Sequence, residues 1–206
     1  MVEHRIPNPG VGGSIPSSFA IRIYTMTTVI RHDERFMTGT RVIQLCSRNK
    51  DGSNAKKMIH EVTHNRDQFS RVFDRMVEMA EPGDRIYASA ESRDMSKAVR
   101  SFKQAQLDAD YDQDPTQFYR NIRGRWVSAL MQKSNSMKED RWWLVDCDTS
   151  YDKIVAEENI KRIVGPKHLY DTKNGRHYLI EPCDLREFPD AFNRLVHKNP
   201  MMLWAY

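Results

Sequence analysis

Two aspartates separated by a single residue, Asp146 and Asp148, close an apolar run that reads Trp142-Trp143-Leu144-Val145. In a strand, alternate side chains share a face, so this spacing sets both carboxylates side by side. Carboxylates so placed repel unless a cation lies between them, and hard oxygen ligands of this kind suit Mg²⁺ or Mn²⁺. Downstream, Thr172-Lys173-Asn174-Gly175-Arg176-His177 runs into Tyr178-Leu179-Ile180. Asn-Gly between two apolar or aromatic runs is a strong hairpin signal. His177 leaves that turn at the start of a strand, where a neighbouring strand would carry it beside the aspartates. Lys173 and Arg176 flank the turn and add positive charge.

A second chemical pattern lies at His60-Glu61-Val62-Thr63-His64. On a helix, HExxH puts two histidines on one face for Zn²⁺, with the glutamate as general base. The alternative reading is therefore a zinc metallohydrolase using His60, Glu61 and His64, with Glu81 or Glu91 as the third ligand. A third pattern, Arg120, Arg123 and Arg125 beside Trp126, has the composition of a nucleic-acid-binding patch next to an aromatic platform. At helical spacing, residues 120 and 123 share a face and 125 turns away. Ser89 has no base near it in sequence, Cys147 points to the face opposite the aspartates, and no GxxxxGK[ST] loop occurs. A nucleophilic triad and a P-loop NTPase are both excluded.

The elements that must position these groups follow from patterning. The β-branched segment from Phe19 to Ile30 reads as a strand, as does Arg41–Cys46. A helix capped by Asn54 is expected to reach about Ala80, where Glu81-Pro82-Gly83-Asp84 stops it. Arg85–Ser89 is a strand, and Asp94 caps a helix to about Leu107. Asp114-Pro115 opens another helix, which carries the three arginines. After Asp148, Thr149 and Ser150 cap a helix to Val164, ended by Gly165-Pro166. The hairpin follows, then a helical turn at Asp190–Leu195 and a closing strand from Met201. About seven strands and five helices in this order describe an α+β fold with antiparallel pairing at the hairpin.

The whole chain sets bounds. At 206 residues, with 39% hydrophobic and 29% charged residues, it has the size and composition of one globular domain. Residues 1–18 hold three of the nine glycines and three of the nine prolines and read as a flexible arm, leaving 19–206 as a single domain. No apolar run approaches the ~20 residues of a membrane span, and no signal-peptide pattern opens the chain. Three cysteines without CxxC spacing suit a reducing compartment. No membrane partner and a cytoplasmic location are therefore expected. A net charge of +4 permits a nucleic-acid or phosphate partner.

An apolar strand ending in Asp-x-Asp, then a helix, then a hairpin reading small-x-Asn-Gly-x-His, resembles motifs I and II of the archaeo-eukaryotic primase superfamily. The likeness covers residues 141–182, and the preceding strand–helix unit in outline. It implies an RRM-like α+β catalytic core with a mixed or antiparallel sheet. It further implies a nucleotidyltransferase in which Asp146 and Asp148 bind Mg²⁺ or Mn²⁺ and His177 contacts the phosphates of the incoming nucleotide. Lys173 and Arg176 would assist, and Arg120, Arg123 and Arg125 would hold the nucleic-acid backbone. The implied partners are nucleoside triphosphates and a DNA or RNA template. A compact chain of this kind fits phage or plasmid replication, with a separate helicase or replication protein. The family also carries a third carboxylate on a later strand. Asp184, Asp190 or, as a replaced carboxylate, Asn193 is the candidate here. Without it, the chain would be a non-catalytic nucleotide- or nucleic-acid-binding accessory factor.

Overall fold

A computed structural model describes residues 28–47, 57–111 and 115–206. The 1–18 arm, the cap at Asn54 and most of the 19–30 strand lie outside the described residues. Of that last segment, Val29 bridges to Ala205 and the Ile30 amide donates to the Trp204 carbonyl at 2.9 Å.

Two four-stranded antiparallel sheets organise the chain. The first has the order β2-β1-β3-β8, from β1 (Arg41–Ser47), β2 (Lys57–Thr63), β3 (Arg85–Ser89) and β8 (Met201–Ala205). Helix α1 (Arg66–Met79) follows β2, and α2 (Met95–Asp110), α3 (Thr116–Arg120) and α4 (Ile122–Leu130) follow β3. The second sheet has the order β5-β6-β4-β7, from β4 (Trp143–Cys147), β5 (Lys167–Asp171), β6 (Arg176–Ile180) and β7 (Val196–Lys198). Helix α5 (Ser150–Ile160) joins β4 to β5, and the short α6 (Asp190–Asn193) lies between β6 and β7. The second unit therefore runs β-α-β-β-α-β, two interleaved βαβ crossovers that place β4 and β6 at the centre. An α+β fold with antiparallel sheets is what the patterning predicts.

One expected element is overturned. The helix expected from Asn54 to Ala80 is a strand followed by a shorter helix. Lys57–Thr63 pairs with β1 over its whole length, Val62 against Val42 and Met58 against Cys46. Only at Asn65 does a helix begin, its side chain accepting from the Gln68 amide. The apolar spacing from Phe69 to Val77 is helical; Lys57–Thr63 before it fits either period, and pairing along β1 decides it as a strand. The helix after Pro115 is also broken. Asn121, at φ −121° and ψ 35°, separates α3 from α4. Helix α5 ends at Ile160, four residues before the expected stop, and Gly165 takes φ +111° in the connection to β5.

Alternation then sorts the second sheet. Val145, Cys147, Tyr178 and Ile180 pack with Ala156, Ile160 and Phe192 beneath the helices. Leu144 and Leu179, on the other face, join Trp142 and Tyr170 in a cluster with Ile43, Leu45, Phe69, Met76, Ile86 and Trp204 of the first sheet and α1. The two sheets thus share one core. At one end of it the packing opens into a cleft. No helix among the described residues is long and apolar enough to cross a membrane.

Candidate functional site

The cleft has a volume of about 790 Å³ and lies between the two sheets. Its chemical wall comes from β4 and the β5–β6 hairpin. Asp146 is the last cleft-facing residue of β4, and Asp148 follows just past the strand end. Asp146 stands directly opposite His177 in the antiparallel register. Ligand atoms of Asp146, Asp148 and His177 all lie within 4.8 Å of one another, and among the described residues this is the one such cluster of histidine, cysteine or acidic groups.

Local sequence fixes this arrangement. Asp148 is free for the cleft because the helix that follows is capped by its neighbour. Thr149 accepts from the Asp152 amide, and Asp152 Oδ2 accepts from the Thr149 amide, a closed capping box. Gly175 brings the hairpin loop against the end of β4. A Cβ there would lie 3.0 Å from the Asp148 Cα and would collide with the Cys147 carbonyl oxygen. The glycine of the Asn-Gly turn is needed for this close approach, since it does not take a positive φ. The Thr172 amide donates to the Gly175 carbonyl at 2.9 Å, and the Gly175 amide donates to Thr172 Oγ1 at 3.0 Å. Thr172, Lys173 and Asn174 consequently line the cleft mouth.

Electrostatics at the pair are set by His177. Its Nε2 lies 2.9 Å from Asp146 Oδ1 and holds that carboxyl below the usual range, against the opposing effect of burial. The approach is not aligned as a hydrogen bond, so Oδ1 is buried without a hydrogen-bond partner. On its other side, His177 Nδ1 is 3.1 Å from the Tyr170 hydroxyl. Burial pushes the Tyr170 phenol well up, so it is protonated at neutral pH. Cys147, between the aspartates, faces the helices, and burial pushes its thiol up to about 12, leaving it inert.

The opposite wall comes from the first sheet: Gln44, Cys46, Met58, Arg85, Tyr87 and Leu203. It is largely apolar and aromatic, with one cation. His197, Lys198 and Asn199 close the side formed by β7, the strand next to β4.

The remaining expected residues do not converge here. Arg176 points to the helix side and is held by Asp171 at 2.9 Å and Glu157 at 3.3 Å. Arg120 ends α3, while Arg123 bonds Glu61 at 3.0 Å and the His60 carbonyl at 2.8 Å. Arg125 lies over the Phe118 ring. None of the three lines the cleft. The HExxH segment is a strand and its end, not a helix. His60 and Glu61 therefore face opposite sides, and the two histidines are spaced roughly 13 Å apart along the chain. Glu61 pairs with Arg75 and Arg123, and His64 Nδ1 lies 3.2 Å from Thr40 Oγ1. The structure does not assemble that zinc site. The third-carboxylate candidates are also elsewhere. Asp184 is paired with Arg186 and starts a 3₁₀ turn, Asp190 opens α6, and the Asn193 amide donates to the Phe188 carbonyl. Among the described residues, Asp146 and Asp148 are the only acids lining the cleft.

Sequence reasoning missed Tyr170, Tyr87, His197 and Lys198. Tyr170 carried a usable signal, because His168 and Tyr170 alternate on one face of the strand paired with His177. His197 sits in a strand of three residues, too short to show a period. Comparison with protein-family models, curated proteins and solved structures returned no match.

Proposed function

We propose that this protein is a metal-dependent nucleotidyltransferase of the primase-polymerase kind, with an RRM-like second sheet as its catalytic core. The observation that carries the reading is the juxtaposition of Asp146, Asp148 and His177 on the open face of a β-α-β-β-α-β sheet, at the end of a cleft large enough for a nucleotide. The donor set fits a divalent cation. It offers two carboxylates and an imidazole, Asp146 Oδ1 is buried beside His177 with no hydrogen bond, and no lysine or arginine among the described residues forms an ion pair with either acid.

Bound there, Mg²⁺ or Mn²⁺ would supply charge neutralisation for the triphosphate and for the oxygens exchanged in transfer. The protein's own groups do the rest. Asp146 and Asp148 hold the cation at the end of β4. Lys173 at the hairpin loop and Arg85 across the cleft offer cations to the phosphates. Tyr87, Met58 and Leu203 offer an apolar wall to a base or sugar. Arg176 has no part in this, since its charge is spent on Asp171 and Glu157.

A specific observation supports a second reading. Among the described residues the cleft contains two acids rather than three, and His197 occupies the adjoining strand. On that reading the protein binds metal and nucleotide as a replication accessory factor and transfers nothing. One experiment separates the two. Labelled deoxynucleoside and ribonucleoside triphosphates are supplied with Mn²⁺ or Mg²⁺ on single-stranded and primed templates. Extension by the native chain that Asp146→Asn/Asp148→Asn abolishes supports transfer. Metal-dependent nucleotide binding without product under any condition supports the accessory role. Extension that survives the double substitution sinks the first reading.

A further inference from the structure

We infer that the wall contributed by the first sheet is a base-recognition subsite for an adenine nucleotide, with Gln44 pairing to the base edge and Tyr87 stacking on its ring. The assignment builds on the reading above, in which the same cleft takes the phosphates at its Asp146–His177 end.

Strand register sets the subsite. Gln44 on β1 stands opposite Tyr87 on β3, and Tyr87 stands opposite Leu203 on β8, so the three form one cross-strand row on one face. All three line the cleft. Leu203 is the end of the row nearest the place of the phosphates. Its backbone lies against the Tyr170 hydroxyl, which is 3.1 Å from His177 Nδ1. Two inter-strand steps of ~4.8 Å carry the row to Gln44, roughly 10 Å farther across the cleft floor. A nucleotide with its phosphates at His177 brings its base over that row.

Tyr87 and Gln44 are held differently. The Arg85 guanidinium donates to the Tyr87 phenol oxygen at 3.4 Å and steadies the ring from two residues away on the same face. An aromatic ring so placed stacks on a nucleobase, since every base has a π-face. Gln44, by contrast, is partly buried, and its amide makes no hydrogen bond within the described residues. Cys46 and Met58, paired in the adjoining row, give it apolar neighbours on that face. The amide therefore keeps a donor and an acceptor, side by side, for what enters the cleft.

That pair of groups selects among bases. Glutamine pairs bidentately with adenine, donating to N7 and accepting from the N6 amine. The other edge of adenine repeats the pattern with N1, so either orientation of the base satisfies Gln44. Guanine presents two acceptors, N7 and O6, on the corresponding edge and leaves the amide oxygen unpaired. Cytosine and uracil match on one edge only and offer Tyr87 a single ring. Adenine combines the bidentate pair with the larger stacking area.

Calorimetry on the full chain with Mn²⁺ and no template tests this. The probes are ATP, GTP, CTP and UTP, with inorganic tripolyphosphate reporting on the phosphate end alone. ATP is expected to bind ~5–100-fold more tightly than the other three, the discrimination of one bidentate pair. Gln44→Leu, with folding checked by circular dichroism, should bring ATP down to the other nucleotides and leave tripolyphosphate unchanged. Gln44→Glu keeps the size but loses the donor, and should also remove the ATP preference. Tyr87→Leu should weaken all four by ~5–100-fold, the worth of one stacked base, and keep ATP first. Equal binding of the four nucleotides by the native chain, displaced by tripolyphosphate, overturns the inference and leaves the metal and phosphate reading standing. A preference for ATP that survives in Gln44→Leu also overturns it, as does a preference that appears only with a template and follows its sequence. Binding of neither nucleotide nor tripolyphosphate removes both.

Discussion

Two short motifs with metal-binding composition, His60–His64 and the Asp146/Asp148/His177 set, fare differently in the same fold. Both end up on strands. A histidine pair spaced for a helix is dispersed by a strand, because the rise is more than doubled and Glu61 turns to the opposite face. An aspartate pair spaced for a strand is gathered by one, and the facing strand then adds a histidine in register. Their surroundings differ as well. β2 is an edge strand whose Glu61 is neutralised by Arg75 and Arg123 on nearby helices. β4 is central, and its carboxylates look into a cleft where no arginine or lysine among the described residues pairs with Asp146. Spacing carries chemical meaning only together with the period of the element that holds it.

The contrast can be broken most directly at Asp146. Asp146→Asn should weaken Mn²⁺ by more than ~100-fold, since even outer-shell partners cost 10–100-fold, and nucleotide transfer should go with it. Calorimetry and extension assays read this, and unchanged Mn²⁺ affinity would remove the site. Gly175→Ala tests the packing that brings the loop to the aspartates. Its Cβ meets the Cys147 carbonyl, backbone against backbone, so the loop must move. A cost of roughly 1–3 kcal/mol is expected. That corresponds to a Tm lower by roughly 3–10 °C in a chain of this size, with weaker Mn²⁺ binding.

Acidification sharpens the picture around Tyr170. His32 Nε2 donates to the Leu203 carbonyl at 2.8 Å, and its ring lies 4.6 Å from those of Tyr170 and Trp204. Burial lowers its pKa to about 4, with His168 and His177 adding to the effect. A folded state that resists protonation binds fewer protons than the unfolded chain between pH 6.5 and about 4. Stability should therefore fall as the pH drops through that window, and flatten below it. Thermal melts of His32→Gln should show a shallower decline there than the native chain. The smallest effects belong to the other motif. His60→Ala/His64→Ala should leave Mn²⁺ affinity unchanged, and any zinc that elemental analysis finds in the native protein should persist in that variant. Glu61→Ala should cost no more than ~1 kcal/mol, because its ion pairs are partly exposed. Stoichiometric zinc lost with the histidines would reverse the contrast.

Much of this was legible in the chain. Asp94 caps α2 through the Lys97 amide, and the Asn-Gly hairpin lies where its turn residues place it. Gly83, at φ +95°, stands in the stop after α1. What misled was Lys57–Thr63, whose mixed residues fit two periods. The edge of β1 chose between them by offering a hydrogen-bonded partner for every residue. A similar ambiguity hid the break at Asn121, since Phe118 to Leu130 is apolar at helical spacing on both sides of it.

The sequence by itself determined which residues share a face. Strand alternation put Asp146 and Asp148 together and Cys147 away, and the Thr149–Asp152 cap left Asp148 exposed. Those are local facts, set by chirality and hydrogen bonding within a few residues. Only the tertiary structure decided that His177 faces Asp146, that Tyr170 holds it, and that a second sheet closes the cleft. Each of these depends on strand order and register between segments far apart in the chain. Register is fixed by the burial of whole faces, a property that no short stretch of sequence contains.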